Sequence, residues 1–129
     1  MLPAAELDLL AVPEQRSRIS ISLRWSEGWR VVCDVTNPSG NTFRRIIYGS
    51  QYMGGMNFNA FFPNDWRGAP DLEAGEYTFE WGRVGSWMGA SYPHGERLLR
   101  DVVTVTPEML GEPAATTTLE PQRTRLGRS

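Results

Sequence analysis

The sequence predicts an all-β protein, an antiparallel β-sandwich of about six to seven strands joined by turns. Short segments in which apolar and polar residues alternate recur about every 10 to 16 residues along the middle of the chain. Clusters of Pro, Gly, Asn and Asp separate these segments, and no window between them places apolar residues at helical spacing. A small β-barrel is the alternative architecture for the same pattern.

Two strands are predicted early in the chain. The segment RISISLRW, residues 18–25, places its apolar residues on one face and its Ser and Arg residues on the other. The segment WRVVCDVTN, residues 29–37, repeats this alternation and places Cys33 on the apolar face. Because only the turn-forming residues SEG separate the two segments, we expect them to pair as a hairpin.

The remaining strands follow a turn at NPSGN, where Pro38 presets φ and Gly40 supplies a positive φ. A second breaker, PNDWRGAPDLEAG, has the composition of a loop. Alternation predicts further strands around these breakers. They cover residues 42–49, 57–62, 76–81 and 98–106.

The chain of 129 residues is long enough for one domain with its own core. The predicted sandwich spans residues 18–110. Residues 1–17 are an N-terminal arm or an edge strand, the latter through the segment ELDLLAV. Residues 111–129 hold few large apolar residues among Thr, Pro, Arg and Glu, so they are predicted to form a flexible, disordered tail.

Two segments carry a family resemblance. VVCDVTNPSG resembles the second strand of bacterial and phage immunoglobulin-like domains, and DLEAGEYTFEW is similar to their penultimate strand, with Leu72, Gly75 and Tyr77 in the positions of a tyrosine corner. The resemblance covers residues 18–107 and implies an immunoglobulin-like sandwich. It also implies that the Tyr77 hydroxyl bonds to backbone a few residues upstream. The alternation places Trp81 in the core.

The composition limits the partners of the protein. The formal net charge is −2, so binding to nucleic acid is not expected. The chain has no apolar run of membrane-spanning length, and its first residues lack the pattern of a signal peptide. These features predict a soluble, cytoplasmic protein that does not bind a membrane.

Few residues are suited to catalysis. Cys33 is the only cysteine and His94 the only histidine, so no disulfide, zinc site or cofactor is expected. His94 lies beside Ser91 and Glu96 on one short segment, where three side chains rarely converge on a common centre. Enzymatic activity is therefore the least favoured alternative.

The segment 82–96 is the main candidate for binding, because it is rich in Gly and Ser yet carries Trp87, Met88 and Tyr92, with His94 nearby. Its alternative role is a lid over one end of the sandwich. A second candidate is the loop containing Trp66 and Arg67. The alternative for Trp66 is packing in the core.

These residues predict a non-enzymatic module that has a structural role or binds a protein partner. The contact would involve segment 82–96 or a sheet edge, and an edge could also pair with a second copy in a homo-oligomer. A small carbohydrate-binding domain that stacks a glycan on Trp66, Trp87 and Tyr92 is the alternative.

Overall fold

The computed structural model describes residues 4–11, 16–25, 31–47, 56–83, 96–111 and 115–126. These residues form nine strands and one short helix, and the prediction of an all-β protein is confirmed. The strands are β1 Ala4–Ala11, β2 Arg18–Trp25, β3 Val31–Thr36, β4 Thr42–Ile47, β5 Met56–Phe62, β6 Gly75–Arg83, β7 Glu96–Val105, β8 Ala115–Leu119 and β9 Gln122–Arg125, and the helix is α1 Pro107–Gly111. Within the described residues, no helix has both the length and the apolar character that a membrane crossing requires.

The strands form two antiparallel sheets that pack as a sandwich. The four-stranded sheet has the order β5-β2-β1-β8, and the five-stranded sheet has the order β4-β3-β6-β7-β9. Buried side chains of both sheets share one hydrophobic core. Phe62 of β5 contacts the opposite sheet directly, because its ring centroid lies 5.8 Å from that of Tyr77 and 6.2 Å from that of Phe79.

The predicted hairpin between residues 18–25 and 29–37 is wrong. β2 pairs with β1 and β5, whereas β3 pairs with β4 and β6 in the other sheet. Residues 31–35 are all buried, because β3 is covered by its neighbours and by the charged side chains on its outer face. Alternation identifies which side chains point inward, and it does not identify the sheet to which a strand belongs.

The N-terminal segment forms a strand, which was one of its two predicted states, but β1 does not lie at an edge. It pairs with β2 on one side and with β8 on the other. Leu7 and Leu9 are buried, so the alternation in ELDLLAV is the alternation of an internal strand with one core face.

The prediction of a disordered tail at residues 111–129 is also wrong. β8 pairs with β1, and β9 pairs with β7, so the C-terminal segment extends both sheets on the same side of the sandwich. Leu119 is buried against the core. The segment needs few apolar residues, because backbone hydrogen bonds hold an added strand and its remaining side chains face solvent.

Candidate functional site

The main predicted binding residues fall outside the described residues. Trp87, Met88, Tyr92 and His94 all lie within 84–95. The strands that flank this segment are described, and their last pairs join Gly82 to Arg97 and Arg83 to Glu96. Both ends of the segment therefore meet at one end of the β6–β7 ladder.

Trp66 is a core residue, and its predicted role in binding is wrong. Only 2% of its surface is exposed. Its Nε1 donates to the carbonyl oxygen of Cys33 at 3.4 Å, and its ring meets the edge of Phe62 with centroids 5.5 Å apart. A loop rich in Pro and Gly can turn an aromatic side chain inward, and the sequence left this alternative open. Arg67 beside it is exposed.

The residues predicted to form a corner are brought together. The backbone N–H of Glu73 donates to the Tyr77 hydroxyl at 2.9 Å, which is the contact that a tyrosine corner requires. Burial raises the pKa of Tyr77 above its ordinary value of 10.0. Leu72 is half-buried against the core. Trp81 is fully buried and stacks on Phe79 with ring centroids 6.1 Å apart.

Gly75 fits this corner because no other residue could occupy its position without strain. Its φ is 137°, and a Cβ on it would lie 2.7 Å from the Cβ of Pro38. The Glu73 carboxylate accepts hydrogen bonds from the Ser39 hydroxyl at 3.0 and 3.1 Å. The corner is therefore fixed against the turn between β3 and β4. In this turn Gly40 has a φ of 92°, so the predicted positive φ is confirmed.

A row of charged side chains on the outer face of the five-stranded sheet was not anticipated from the sequence. Strand pairing places Asp34 opposite Arg44 and Glu80, and Glu80 opposite Arg100. Arg97 joins them, and we refer to these five residues as the charge row. They come from β3, β4, β6 and β7, so the sequence gives no local signal for the cluster.

The charge row is held by paired hydrogen bonds. Arg44 donates to both oxygens of Asp34 at 2.7 and 2.8 Å, and the Asp34 side chain is only 4% exposed. Arg97 bridges the two carboxylates, with Nη2 lying 2.7 Å from Asp34 and Nη1 lying 2.8 Å from Glu80. Arg100 lies 3.0 Å from Glu80. Hydrogen bonding to Asp34 raises the pKa of Arg44.

A β-bulge directs Arg97 to this face. The pairing of β6 with β7 shifts between Trp81 and Gly82, so that Gly82 lies opposite Arg97 and Leu98 is the extra residue. Without the shift, strict alternation from Arg100 would turn Arg97 toward the core. The bulge therefore fixes a guanidinium beside the strand ends that flank residues 84–95.

A second ion pair joins a buried carboxylate to a partly exposed guanidinium. Asp101 of β7 is fully buried, and Arg123 of β9 donates to its two oxygens at 2.7 Å each. Trp81 Nε1 also donates to Asp101 at 2.8 Å. Hydrogen bonding to Asp101 raises the pKa of Arg123. Asp101 therefore depends on the C-terminal strand for its counter-charge.

The thiol of Cys33 is buried between these two groups of charges. Burial raises its pKa well above the ordinary value of 9.0, and the negative charges of Asp34 and Asp101 act in the same direction. The thiol therefore stays protonated and inert at neutral pH.

Comparisons with protein-family models, with curated proteins and with solved structures found no match to this chain. The charge row contains three arginines and two carboxylates, so the five residues together carry one net positive charge. The side chains of Arg44, Arg97 and Arg100 are 33%, 36% and 45% exposed, so they are ordered by the carboxylates and still open to solvent. Such an arrangement presents fixed guanidinium groups to a carboxylate.

Proposed function

We propose that the protein is a non-enzymatic interaction module of immunoglobulin-like type. It binds a protein partner at the end of the five-stranded sheet where both ends of segment 84–95 meet. The observation that carries this proposal is the position of Arg97, which is fixed by Asp34 and Glu80 at 2.7 and 2.8 Å, directly beside those strand ends.

The strand order supports the immunoglobulin-like class. β1, β2 and β5 share one sheet while β3, β6 and β7 share the other, as strands A, B, E and C, F, G do in immunoglobulin domains. β4 then lies beside β3, as an added strand does in variable-type domains. The bond between Tyr77 and Glu73 stands at the start of the sixth strand, the place of the tyrosine corner. On this assignment, β8 and β9 are additions to a seven-stranded sandwich.

The residue types of the site indicate the chemistry of the partner. Trp87, Met88 and Tyr92 supply the aromatic and adaptable side chains that are enriched at the centre of protein interfaces. The charge row adds a net positive charge on guanidinium groups that are already ordered, so little side-chain entropy is lost on binding. We therefore expect a partner surface with an apolar patch and carboxylates at its rim.

Affinity capture from the source cell with matched baits tests the proposal. A bait with both Trp87→Ala and Tyr92→Ala is expected to lose the partner while its circular dichroism and melting stay unchanged. Arg100→Ala is expected to weaken capture, because it removes a guanidinium from the charge row. Arg24→Ala is the matched control, since Arg24 is exposed on the other sheet.

Three results would contradict the proposal. Capture of the same protein by wild type and by the double variant would exclude the aromatic residues from the interface. A large drop in melting temperature of the double variant would assign them to the core instead. Weaker capture by Arg24→Ala than by Arg100→Ala would place the contact on the other sheet.

A further inference from the structure

β9 is a polar strand that covers the edge of an apolar one. Its sequence is QRTR, and all four of its side chains are exposed. It pairs with residues 99–102 of β7. The hydrophobic core of the described residues includes Leu99 of β7 and no residue of β9. Apolar packing therefore contributes little to holding β9 on this edge.

One side chain of β9 reaches a buried group. Arg123 donates to both oxygens of Asp101 at 2.7 Å each, and the Asp101 side chain is 0% exposed. The planar fork of a guanidinium matches the two oxygens of a carboxylate, and the ammonium group of a lysine does not. The edge therefore selects a strand that carries an arginine at this position.

The Asp101 carboxylate is also oriented by a residue outside β9. Trp81 Nε1 donates to it at 2.8 Å, and the Trp81 ring is fully buried and stacked on Phe79. Trp81 lies on β6, which pairs with β7 on the side opposite to β9. The acceptor for an arginine thus has a donor that does not depend on β9.

β8 and β9 are attached to the sandwich separately. β8 pairs with β1 over residues 115–119, and Leu119 at its end is buried. Glu120 and Pro121 alone separate β8 from β9. Because β8 has its own pairing and its own core contact, release of β9 from β7 does not require release of β8.

We propose that the β7 edge is a strand-addition site for an arginine-bearing segment of a partner protein, and that β9 is the chain's own occupant of this site. The partner segment is extended, places its arginine opposite Asp101 and carries an apolar residue two positions later, opposite Leu99. Asp101 and Trp81 recognise the arginine. The ion pair is kept during exchange, because one guanidinium replaces another.

The position of Arg125 is where a partner segment gains over β9. Arg125 lies opposite Leu99 and is exposed, whereas Leu99 is buried. An apolar residue at this position would pack on Leu99, since directly opposed side chains are the contacts that stabilise a sheet. β9 has the advantage of belonging to the same chain, which gives it an effective concentration in the millimolar range. It therefore keeps the edge until a segment with the better side chain displaces it.

This site goes beyond the function proposed above and does not depend on it. It contains no residue of the charge row and none of segment 84–95. A failure of one proposal therefore leaves the other intact.

Fluorescence anisotropy with labelled peptides and the full chain tests the site. The parent peptide covers residues 120–127, and a second peptide carries Arg125→Leu. We expect the Arg125→Leu peptide to bind wild type with a Kd below about 1 mM, at least about tenfold lower than that of the parent peptide. Adding Arg123→Ala or Arg123→Lys to the second peptide should raise its Kd at least about tenfold, because the paired contact with the carboxylate is lost.

Variants of the full chain separate recognition from occupancy. Arg123→Ala weakens the hold of β9, so the Arg125→Leu peptide should bind this variant more tightly than wild type. Asp101→Asn removes the carboxylate and keeps an acceptor for Trp81, so the same peptide should bind it more weakly. Arg24→Ala is the matched control on the other sheet and should bind the peptide like wild type.

No binding of the Arg125→Leu peptide to wild type or to the Arg123→Ala chain at about 1 mM would overturn the proposal. So would equal binding of the peptides with and without the Arg123→Ala change, or weaker binding by the Arg123→Ala chain than by wild type. Circular dichroism at the assay temperature shows whether each variant is folded. If the Arg123→Ala chain is unfolded, the comparison of the peptides on wild type decides.

Discussion

On one side of the sandwich the chain covers its own sheet edges, since β8 lies along β1 and β9 lies along β7. On the opposite side, β4 and β5 are the last strands in the described residues. The outer strand β9 on the covered side has the sequence QRTR and no apolar residue. The outer strand β5 on the open side, MNFNAFF, is one of the most apolar strands. Apolar content alone therefore does not decide which segments complete a fold.

The two sides are also held by different interactions. On the covered side, Arg123 supplies the counter-charge of a carboxylate that is fully buried. On the open side, the backbone N–H of Glu73 donates to the Tyr77 hydroxyl, and the Ser39 hydroxyl donates to the Glu73 carboxylate. These bonds fix the corner against the β3–β4 turn. Removing the counter-charge of a buried carboxylate costs more than removing one ordinary hydrogen bond, so the sides should differ in their response to substitution.

Arg123→Ala gives the largest expected effect. The substitution removes the Arg123 guanidinium from the buried Asp101 carboxylate and leaves the hydrogen bond from the Trp81 indole. The free energy of unfolding should therefore fall by about 3 kcal/mol. Arg125→Ala is the control on the same strand. Arg125 is exposed and lies opposite Leu99 rather than a carboxylate, so its effect should stay within about 0.5 kcal/mol. Urea denaturation of both variants measures the difference.

The Asp101→Asn background identifies the cause. There Arg123→Ala should cost less than in wild type, because no charge is left without a partner. Equal effects of Arg123→Ala and Arg125→Ala would mean that β9 does not hold the covered side in place.

Tyr77→Phe gives a smaller expected effect on the open side. It removes the hydroxyl that accepts the Glu73 N–H, so the free energy of unfolding should fall by about 1 kcal/mol. A loss as large as that in Arg123→Ala would remove the contrast between the two sides.

Alkaline pH separates the contributions of Tyr77 and Cys33. The folded-state pKa of each is raised above its ordinary value, 10.0 for Tyr77 and 9.0 for Cys33, so each group stabilises the fold fully below that value and loses its contribution as pH rises through the folded-state pKa. The free energy of unfolding should therefore decline above about pH 9. Tyr77→Phe should remove the part of this decline that begins near pH 10. If the free energy of unfolding of the variant has the same pH dependence as that of wild type, the burial of the Tyr77 hydroxyl does not raise its pKa as described.

The sequence predicts which face of a strand is buried better than it predicts which strands pair. Alternation identified the buried side chains of β2 and β6, because a period of two is a local property. It could not show that β2 and β3 belong to different sheets, since that depends on pairing with strands far along the chain. Arg123 had the appearance of a basic tail residue for the same reason, because its partner Asp101 lies 22 positions earlier.

The site was predicted only in its local parts. The corner could be predicted because its residues form a short motif, Leu72, Gly75 and Tyr77, whose spacing is visible in the sequence. The charge row depends on the register of four strands, so no window of sequence contains it. Trp66 was ambiguous because residue type indicates the capacity of a side chain for stacking and does not indicate whether a loop turns it inward.

Amide hydrogen exchange tests most directly the central claim, that the C-terminal segment closes one side of the sandwich. We expect slow exchange in β8 and β9, because β8 pairs with β1 and β9 pairs with β7. Exchange of β8 and β9 at the rates of an unfolded chain would contradict the closure of one side by the C-terminal segment.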